Sequence, residues 1–341
     1  MSHQITIQPS GHTLIAEDGE TILAAALREG FMLPYGCRNG ACGSCKGKVT
    51  AGEIDYGEFQ SSALTDADIA AGKALFCVAC ATSDISIECR EVGAAKDIQI
   101  KTLPCRVHKM EKLGHDVMGL SLKLPASERM QFLAGQYIDI LLKNGNRRSF
   151  SLANAPHDDA LLQLHIRHVP GGEYTEHVFN TMKEKDILRI EGPLGGFFLR
   201  EDSDKPIIFI AGGTGFAPIK AMIDHALHHH ANREMVLYWG ARELRDLYLP
   251  HLASKWQQEN PNITFIPVLA APNADDAWPG RTGLVVDAVL QDFPDLSGYQ
   301  VYACGAPAMV EAAQNGCLQH GLPEAEFYAD AFLYQSNNAA S

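Results

Sequence analysis

Three cysteines within one short loop, and a fourth some thirty residues later, constrain this chain more than anything else in it. The run Tyr35-Gly36-Cys37-Arg38-Asn39-Gly40-Ala41-Cys42-Gly43-Ser44-Cys45 spaces its thiols as C-x4-C-x2-C, and Cys77 follows after a long gap. Thiolates that converge on iron from one loop require a sharply folded backbone, which Gly36, Gly40 and Gly43 permit. The small residues Ala41 and Ser44 let backbone amides approach the sulfurs and tune them by hydrogen bonding. The spacing suits a [2Fe–2S] cluster held by Cys37, Cys42, Cys45 and Cys77. Two other readings exist: buried free thiols, or a structural zinc, which usually shows two close C-x2-4-C or H-x3-5-H pairs. The loop glycines and the distant fourth cysteine favour the cluster. Cys80, Cys89, Cys105 and Cys317 have no ligand-like company and read as packing residues.

With 341 residues the chain exceeds one ordinary core, and two or three domains are expected. Its 46% hydrophobic and 20% charged content describe a soluble globular protein. No stretch is apolar enough to span a bilayer, and the first thirty residues lack a signal core. Nine cysteines, four of them assigned to iron, suit a reducing cytoplasm better than a disulfide scaffold. The net charge of -13 argues against nucleic acid as a partner. It is unevenly spread: -6 over residues 1–95, +3 over 96–200 and -10 over 201–341. An acidic cluster-bearing head could steer toward a basic partner, although a solvated acidic surface is the commoner meaning. The His228-His229-His230 run reads as a polar helix face.

The head alternates like a strand at Ile5–Ile7 and again at His12–Ala16. Glu20–Glu29 reads as a short helix stopped by Gly30. Strands follow at Lys46–Thr50 and Ile85–Cys89, and Val92–Lys101 reads as a linker. Short alternating runs then recur at Leu103–Met110, Val117–Leu124, Gln136–Leu142, Arg148–Leu152, Leu161–His168 and Asp186–Glu191, which implies an antiparallel barrel. Past Arg200 the rhythm becomes strand, helix, strand. Apolar runs at Pro206–Ala211, Met235–Trp239, Ile263–Leu269, Gln300–Ala303 and Glu326–Tyr328 alternate with helices at Ala217–His230, Leu247–Glu259, Leu284–Leu290 and Pro307–His320. Such alternation calls for a parallel sheet covered on both faces.

Two motifs in these later segments bear on chemistry. Gly212-Gly213-Thr214-Gly215-Phe216-Ala217-Pro218 follows an apolar strand and opens a helix, so its backbone can approach phosphates at a helix N-terminus. Pro218 stands where the third glycine of G-x-G-x-x-G would be, so an ordinary tight turn is the competing reading until its place at a strand–helix junction is considered. In Arg147-Arg148-Ser149-Phe150-Ser151 an arginine suits a pyrophosphate, an aromatic ring can stack on isoalloxazine, and a serine can reach a flavin nitrogen. A solvated basic strand would look similar. The turn at Gly171-Gly172-Glu173-Tyr174-Thr175 begins another helix and could offer amides to a phosphate.

These motifs carry a resemblance. The head resembles plant-type ferredoxins, with their β-grasp sheet, and residues 102–335 resemble the ferredoxin–NADP reductase superfamily, a flavin barrel followed by a nucleotide domain. The resemblance implies three domains: a ferredoxin over 1–95, an FAD barrel over 102–200 and an NAD(P)H-binding α/β domain over 201–341. It implies Arg148 for the flavin pyrophosphate, Phe150 against the ring and Ser151 near its reactive edge, with Gly171, Gly172 and Thr175 holding phosphate. Gly212, Gly213, Thr214, Gly215 and Pro218 match the pyridine-nucleotide loop. Cys304 and Gly305 match the C-G pair where nicotinamide meets flavin, against the plain alternative of a core thiol. Phe332 resembles the aromatic residue that covers the flavin's other face, with Phe327 and Tyr328 as rivals.

Head and reductase together resemble the fused NADH-dependent reductases of bacterial multicomponent oxygenases and of the dehydrase of 3,6-dideoxyhexose synthesis. Electron counting orders the cofactors. Nicotinamide gives a hydride, a cluster takes one electron at a time, and a flavin converts between them. The expected route is therefore NADH to FAD to [2Fe–2S] to an electron-accepting protein. The leading acceptor is the dehydrase acting on a sugar-nucleotide glucoseen, and the alternative is an aromatic or alkane oxygenase component. A redox sensor is a third reading, though a sensor has little need of both nucleotide motifs. NADH is favoured over NADPH because Arg242 and Arg245 are offset by Glu243 and Asp246, while Arg242 keeps NADPH open.

Overall fold

The computed structural model describes residues 2–89 and 98–332. Most of the expected linker, residues 92–97, lies outside them. Contacts divide the chain into two compact units, one of residues 2–89, 98–99 and Gly195–Phe197, the other of Ile100–Leu194 and Phe198–Phe332.

In the first unit, β1 (His3–Gln8) and β2 (His12–Ala16) form an antiparallel hairpin, followed by α1 (Ile22–Arg28). Strands β3 (Lys46–Ala51) and β4 (Ile54–Asp55) lead through α2 (Asp66–Ala70) to β5 (Lys73–Leu75), β6 (Cys80–Ala81) and β7 (Ile85–Glu88). The main sheet runs β2-β1-β7-β3-β5. Only the β1–β7 pairing is parallel, as the β-grasp arrangement requires. Alternation places Ile5 and Ile7 on the buried face, where α1 buries Ile22, Leu23, Ala25 and Ala26. The helix starts two residues later than the propensities suggest, because the Thr21 hydroxyl accepts the Ala24 N–H (3.2 Å) and so caps it.

The second unit begins with β8 (Lys101–Lys112), β9 (Val117–Lys123), β10 (Tyr137–Leu141), β11 (Arg147–Ser151) and β12 (Leu162–Arg167), then α3 (Glu173–Asn180) and β13 (Ile187–Leu194). These six strands form an antiparallel sheet in the order β11-β10-β13-β8-β9-β12. A bridge between Leu152 and Leu164 joins its two edges, so the sheet closes into a barrel. Val107, Leu120, Leu122, Ile138, Ile140, Leu164, Ile166 and Ile190 fill the interior. Lys101, expected to end the linker, is the first residue of β8, where it pairs with Gly192.

The rest of that unit is β14 (Ile207–Gly212), α4 (Phe216–His228), β15 (Met235–Ala241), α5 (Pro250–Glu259), β16 (Ile263–Leu269), β17 (Arg281–Thr282), α6 (Val285–Asp292), β18 (Gln300–Gly305), α7 (Pro307–Gln319) and β19 (Phe327–Ala331). All pairings are parallel, in the order β17-β16-β15-β14-β18-β19. Every residue of β18 is buried, which is why the strand reads as a continuous apolar run. The order reverses between β14 and β18, and ligands of such sheets bind outside the carboxyl ends of the strands at that point.

The departures from expectation are local. The helix expected from Leu247 starts only at Pro250, because Leu247 and Tyr248 are buried ahead of it and proline is suited to the first turn. The helix expected through His230 stops at His228, since His230 takes a left-handed φ of +53°. Strands β4, β6 and β17, two residues each, and the one-turn α2 are too short to generate a period.

Within the first unit, β3 meets Phe76 at Gly47, where a Cβ would lie 2.2 Å from the ring of this fully buried side chain. Gly47→Ala should therefore destabilise the chain by about 1–3 kcal/mol, read as a lower urea midpoint in unfolding followed by circular dichroism; an unchanged midpoint would show that the ring has room to move.

Candidate functional site

The cysteine loop is shaped by its backbone. Arg38, Gly40 and Gly43 all have positive φ, and a Cβ on Gly40 would sit 2.7 Å from the Glu58 carbonyl oxygen. The resulting coil turns amides inward. The Cys37 N–H donates to Cys42 Sγ (3.4 Å), and the Cys42 thiol donates to Ser44 Oγ (3.4 Å). Cys37 is pulled down to about 6, first by the Cys42 thiol and then, against burial, by the amides of Asn39, Ala41 and Cys42. Cys42 is correspondingly pushed up by Cys37 and by burial. Cys77 reaches back to this loop: the Cys45 thiol lowers it most, and the Gly40 amide also lowers it. Cys45, in turn, is raised by Cys77 and by burial.

Among the described residues no three His, Cys, Asp or Glu side chains converge as a single ion would require. Side-chain contacts link Cys37 with Cys42 and Cys45 with Cys77, and Cys42 also acts on Cys45 and Cys77. Four cysteine thiols drawn together in this way fit the donor set of a [2Fe–2S] centre. Cys80 belongs to neither pair. Its thiol lies 3.5 Å from the Gly19 carbonyl oxygen, within a strand paired to Ile54–Asp55.

On the barrel, β11 alternates exposed Arg147 and Ser149 with the more sheltered Arg148, Phe150 and Ser151. The Phe150 ring packs on Tyr174 with centroids 5.5 Å apart. Arg148 is held by Glu173, the first residue of α3 (Nη2–Oε2 3.3 Å). In the glycine turn before α3, the Thr175 hydroxyl donates to the Val169 carbonyl (2.9 Å) and accepts the Val169 N–H (3.1 Å). The Gly171 N–H donates to the Glu176 carboxylate (2.9 Å). The polar groups of this turn thus hold its own shape, with Gly172 as the N-cap residue where a Cβ would press on Thr175.

The ends of β14 and β18 meet closely. A Cβ on Gly215 would lie 2.0 Å from the Cys304 carbonyl oxygen, and one on Gly212 2.7 Å from Met309 Sδ. Gly213–Gly215 forms one 3-10 turn before α4, and Pro218 is buried in the first turn of that helix. Aromatic rings brace the turn from behind. Phe216 stacks on Trp239 at 3.8 Å, and the Trp239 indole N–H donates to the Gly213 carbonyl (3.0 Å). Tyr248 packs edge-on against Trp239 and bonds His165 Nδ1 of β12 (3.0 Å). Burial pulls His165 down to about 3, so the imidazole is neutral.

Four predicted residues gather at this carboxyl edge. Cys304 is fully buried and its thiol is pushed well up, chiefly by burial and then by Asp330. Asp330 is its partner in the β18–β19 register, and the Ser151 hydroxyl donates to the Asp330 carboxylate (3.5 Å). The Phe332 N–H donates to the Gly305 carbonyl (2.8 Å). Its rivals lie further from this edge: Tyr328 stacks on Tyr302 (4.7 Å), and Phe327 packs into the sheet core. The structure therefore brings Ser151, Cys304, Gly305 and Phe332 together beside Gly212–Gly215. Arg242 stands apart, exposed beyond β15, while Arg245 is paired to Glu243 (2.8 Å).

Two residues of this site escape sequence reasoning. Asp330 joins Ser151 to Cys304, and its one signal is a lone acid in an apolar strand. Arg167, last in β12, reaches Gly213 so closely that a Cβ there would lie 2.5 Å from Nη1. Its Nε pairs with Asp116 (3.1 Å), and its buried Nη2 has no hydrogen-bond partner among the described residues. A cation at the end of a barrel strand gives no clue to the loop it meets in space.

Three family profiles match the chain: the 2Fe-2S iron-sulfur cluster binding domain over residues 5–82, the oxidoreductase FAD-binding domain over 104–199 and the oxidoreductase NAD-binding domain over 209–315. The chain is 43% identical to the CDP-6-deoxy-L-threo-D-glycero-4-hexulose-3-dehydrase reductase of Yersinia pestis, across 98% of its own length and 99% of the relative's. It is 36% identical to reductase component 2 of the terephthalate 1,2-dioxygenase of a Comamonas species, across 97% and 98% of the two chains. The crystal structure of an Amycolatopsis cytochrome P450 reductase superposes with a TM-score of 0.79 at 32% identity, covering 97% of this chain and 98% of that one. No helix among the described residues is long and apolar enough to cross a membrane. With a 2Fe-2S domain, an FAD-binding barrel and an NAD-binding sheet in one polypeptide, the chain belongs to the family of fused iron–sulfur flavoprotein reductases that includes the CDP-6-deoxy-hexulose-3-dehydrase reductases.

Proposed function

We propose that this reductase takes hydride from NADH and delivers single electrons to the dehydrase of CDP-6-deoxy-3,4-glucoseen chemistry, in 3,6-dideoxyhexose synthesis. The observation that carries the acceptor is the 43% identity, over nearly the whole of both chains, to a reductase named for a CDP-6-deoxy-hexulose dehydrase. The second reading, a reductase component of an aromatic oxygenase, is favoured by the 36% identity to the terephthalate dioxygenase component. A sensor is disfavoured, because it has little need of both an FAD-binding and an NAD-binding domain. The chain is read as three functional segments, 1–95, 102–200 and 201–341, one for each cofactor, and the five cysteines outside the cluster set, none in a disulfide, suit a cytoplasmic location.

When bound, the flavin accepts a hydride and returns electrons one at a time to a [2Fe–2S] centre. Cys37, Cys42, Cys45 and Cys77 hold that centre, and the loop amides tune it. Arg148 would bind flavin phosphate, Phe150 would pack on the ring, and Ser151 would offer its hydroxyl to the flavin. Gly171, Gly172 and Thr175 set the turn that lets α3 approach the phosphate. Gly212, Gly213, Thr214, Gly215 and Pro218 form the nicotinamide nucleotide's phosphate loop, with Arg167 supplying positive charge beneath it. Cys304 and Gly305 would floor the nicotinamide site, Asp330 fixes the Ser151 hydroxyl, and Phe332 would cover the flavin. The preference for NADH rests on Glu243, which neutralises Arg245 near the end of β15 and leaves Arg242 to meet a 2′-phosphate without its neighbour's help.

In Cys77→Ala the electron paramagnetic resonance signal of the reduced cluster should vanish, whereas Cys80→Ala should keep it; the reverse pattern would overturn the ligand set. Cys304→Ala should slow flavin reduction by NADH about tenfold to a hundredfold, as small misplacements of reactants do, with bound FAD unchanged; stopped-flow reduction at the original rate would reduce Cys304 to a packing residue. For the acceptor, NADH oxidation should accelerate on adding the purified dehydrase with its CDP-6-deoxy-hexulose substrate, and 3-deoxy product should form in step. Acceleration by an aromatic oxygenase component alone would establish the second reading instead.

A further inference from the structure

One cation reaches from a helix of the parallel sheet to the barrel. Lys220 lies on α4, one turn after Phe216, and only 14% of its side chain is exposed. Its ammonium pairs with Asp224 on the next turn (2.8 Å) and donates to the Ala153 carbonyl (3.0 Å). Ala153 is fully buried and lies two positions beyond Ser151, the last residue of β11. Its amide donates to the Gln163 carbonyl (2.8 Å), so the residue is part of the barrel wall. The same loop meets the same helix again further on, where His157 stacks on His228 with centroids 3.7 Å apart. The histidine run is therefore more than a polar helix face, since its first member leans on the barrel.

A short, stiff path results. The Gly213–Gly215 turn runs directly into α4, α4 carries Lys220, and Lys220 holds the strand end that presents Ser151. One end of this path is the nicotinamide nucleotide loop and the other is the flavin strand. At 3.0 Å and with a charged donor, the link is closer than the 3.5 Å contact of Ser151 with Asp330. Hydride transfer is steep in geometry, and a displacement of about 1 Å can cost roughly a hundredfold in rate. We propose that Lys220 is a positioning residue for hydride transfer, which fixes the nucleotide loop against the flavin strand through the Ala153 carbonyl. The proposal rests on the reading of β11 as the flavin strand.

The test separates binding from the hydride step in the full chain with its cofactors. In Lys220→Met, which keeps the length of the side chain and loses its donor, stopped-flow reduction of the flavin at saturating NADH should slow about tenfold. The half-saturating NADH concentration and the FAD content should stay near the original. Hydrogen–deuterium exchange over residues 152–160 should quicken in the same variant, because the Ala153 carbonyl has lost its partner from α4. Lys220→Arg, which keeps a charged donor, should restore most of the rate. An unchanged limiting rate in Lys220→Met would overturn the proposal, and so would an equal slowing in Lys220→Arg. A raised half-saturating concentration with an unchanged limiting rate would also overturn it, by making Lys220 a binding residue only. Should Lys220→Met fail to fold, Lys220→Gln, polar and one bond shorter, carries the same expectation and the same refutation. Arg148→Gln tests the premise separately: loss of FAD there supports β11 as the flavin strand, and full retention would overturn that reading whatever Lys220 does.

Discussion

A missing methyl group sets the geometry of the nucleotide half. Gly215 packs against the Cys304 carbonyl so tightly that a Cβ would lie 2.0 Å from it, with backbone on the other side of the contact. The first turn after β14 and the end of β18 are therefore locked together at the point where the strand order reverses. The surrounding contacts depend on that lock. The Gly213 carbonyl is fixed for the Trp239 indole, Cys304 is fixed opposite Asp330, and Gly305 is fixed for the Phe332 amide. The sulfur of Cys304 needs no reactivity in this arrangement. Burial keeps it a thiol that fills one defined volume at the end of β18.

The two units obtain precision by different means. The iron-binding loop relies on backbone conformation, with positive φ at Arg38, Gly40 and Gly43 turning amides toward the sulfurs. The flavin and nucleotide sites rely on packed side chains. The aromatic set of Phe216, Trp239 and Tyr248 is anchored across to the barrel through His165, whose imidazole stays neutral across the physiological range. A neutral His165 can hold one tautomer against the tyrosine, and the contact between barrel strand and nucleotide sheet then carries no titratable charge at working pH.

Much of this architecture is legible from the residues because the signals are local. Thiol spacing, the Arg148–Ser151 strand and the Gly212–Pro218 turn each lie within one short segment, and the strand rhythm separates barrel from parallel sheet. Two-residue strands such as Ile54–Asp55 and Arg281–Thr282 have no period to detect. Asp330 and Arg167 stay hidden for another reason. Each acts on a residue far away in the chain, Ser151 for the first and Gly213 for the second, and only the closure of the fold creates those pairs. Glu173 illustrates the same limit: it reads as an ordinary first-turn acid until Arg148 is found against it.

The Ser151–Asp330 contact also bears on how such proteins recombine. One partner lies on a barrel strand and the other on the last strand of the sheet, 179 positions away. A chimera that imported a foreign nucleotide domain would inherit a new residue at 330 while keeping the old 151, and the hydroxyl would lose or change its acceptor. Graft junctions drawn between barrel and sheet would thus separate a hydrogen-bonded pair.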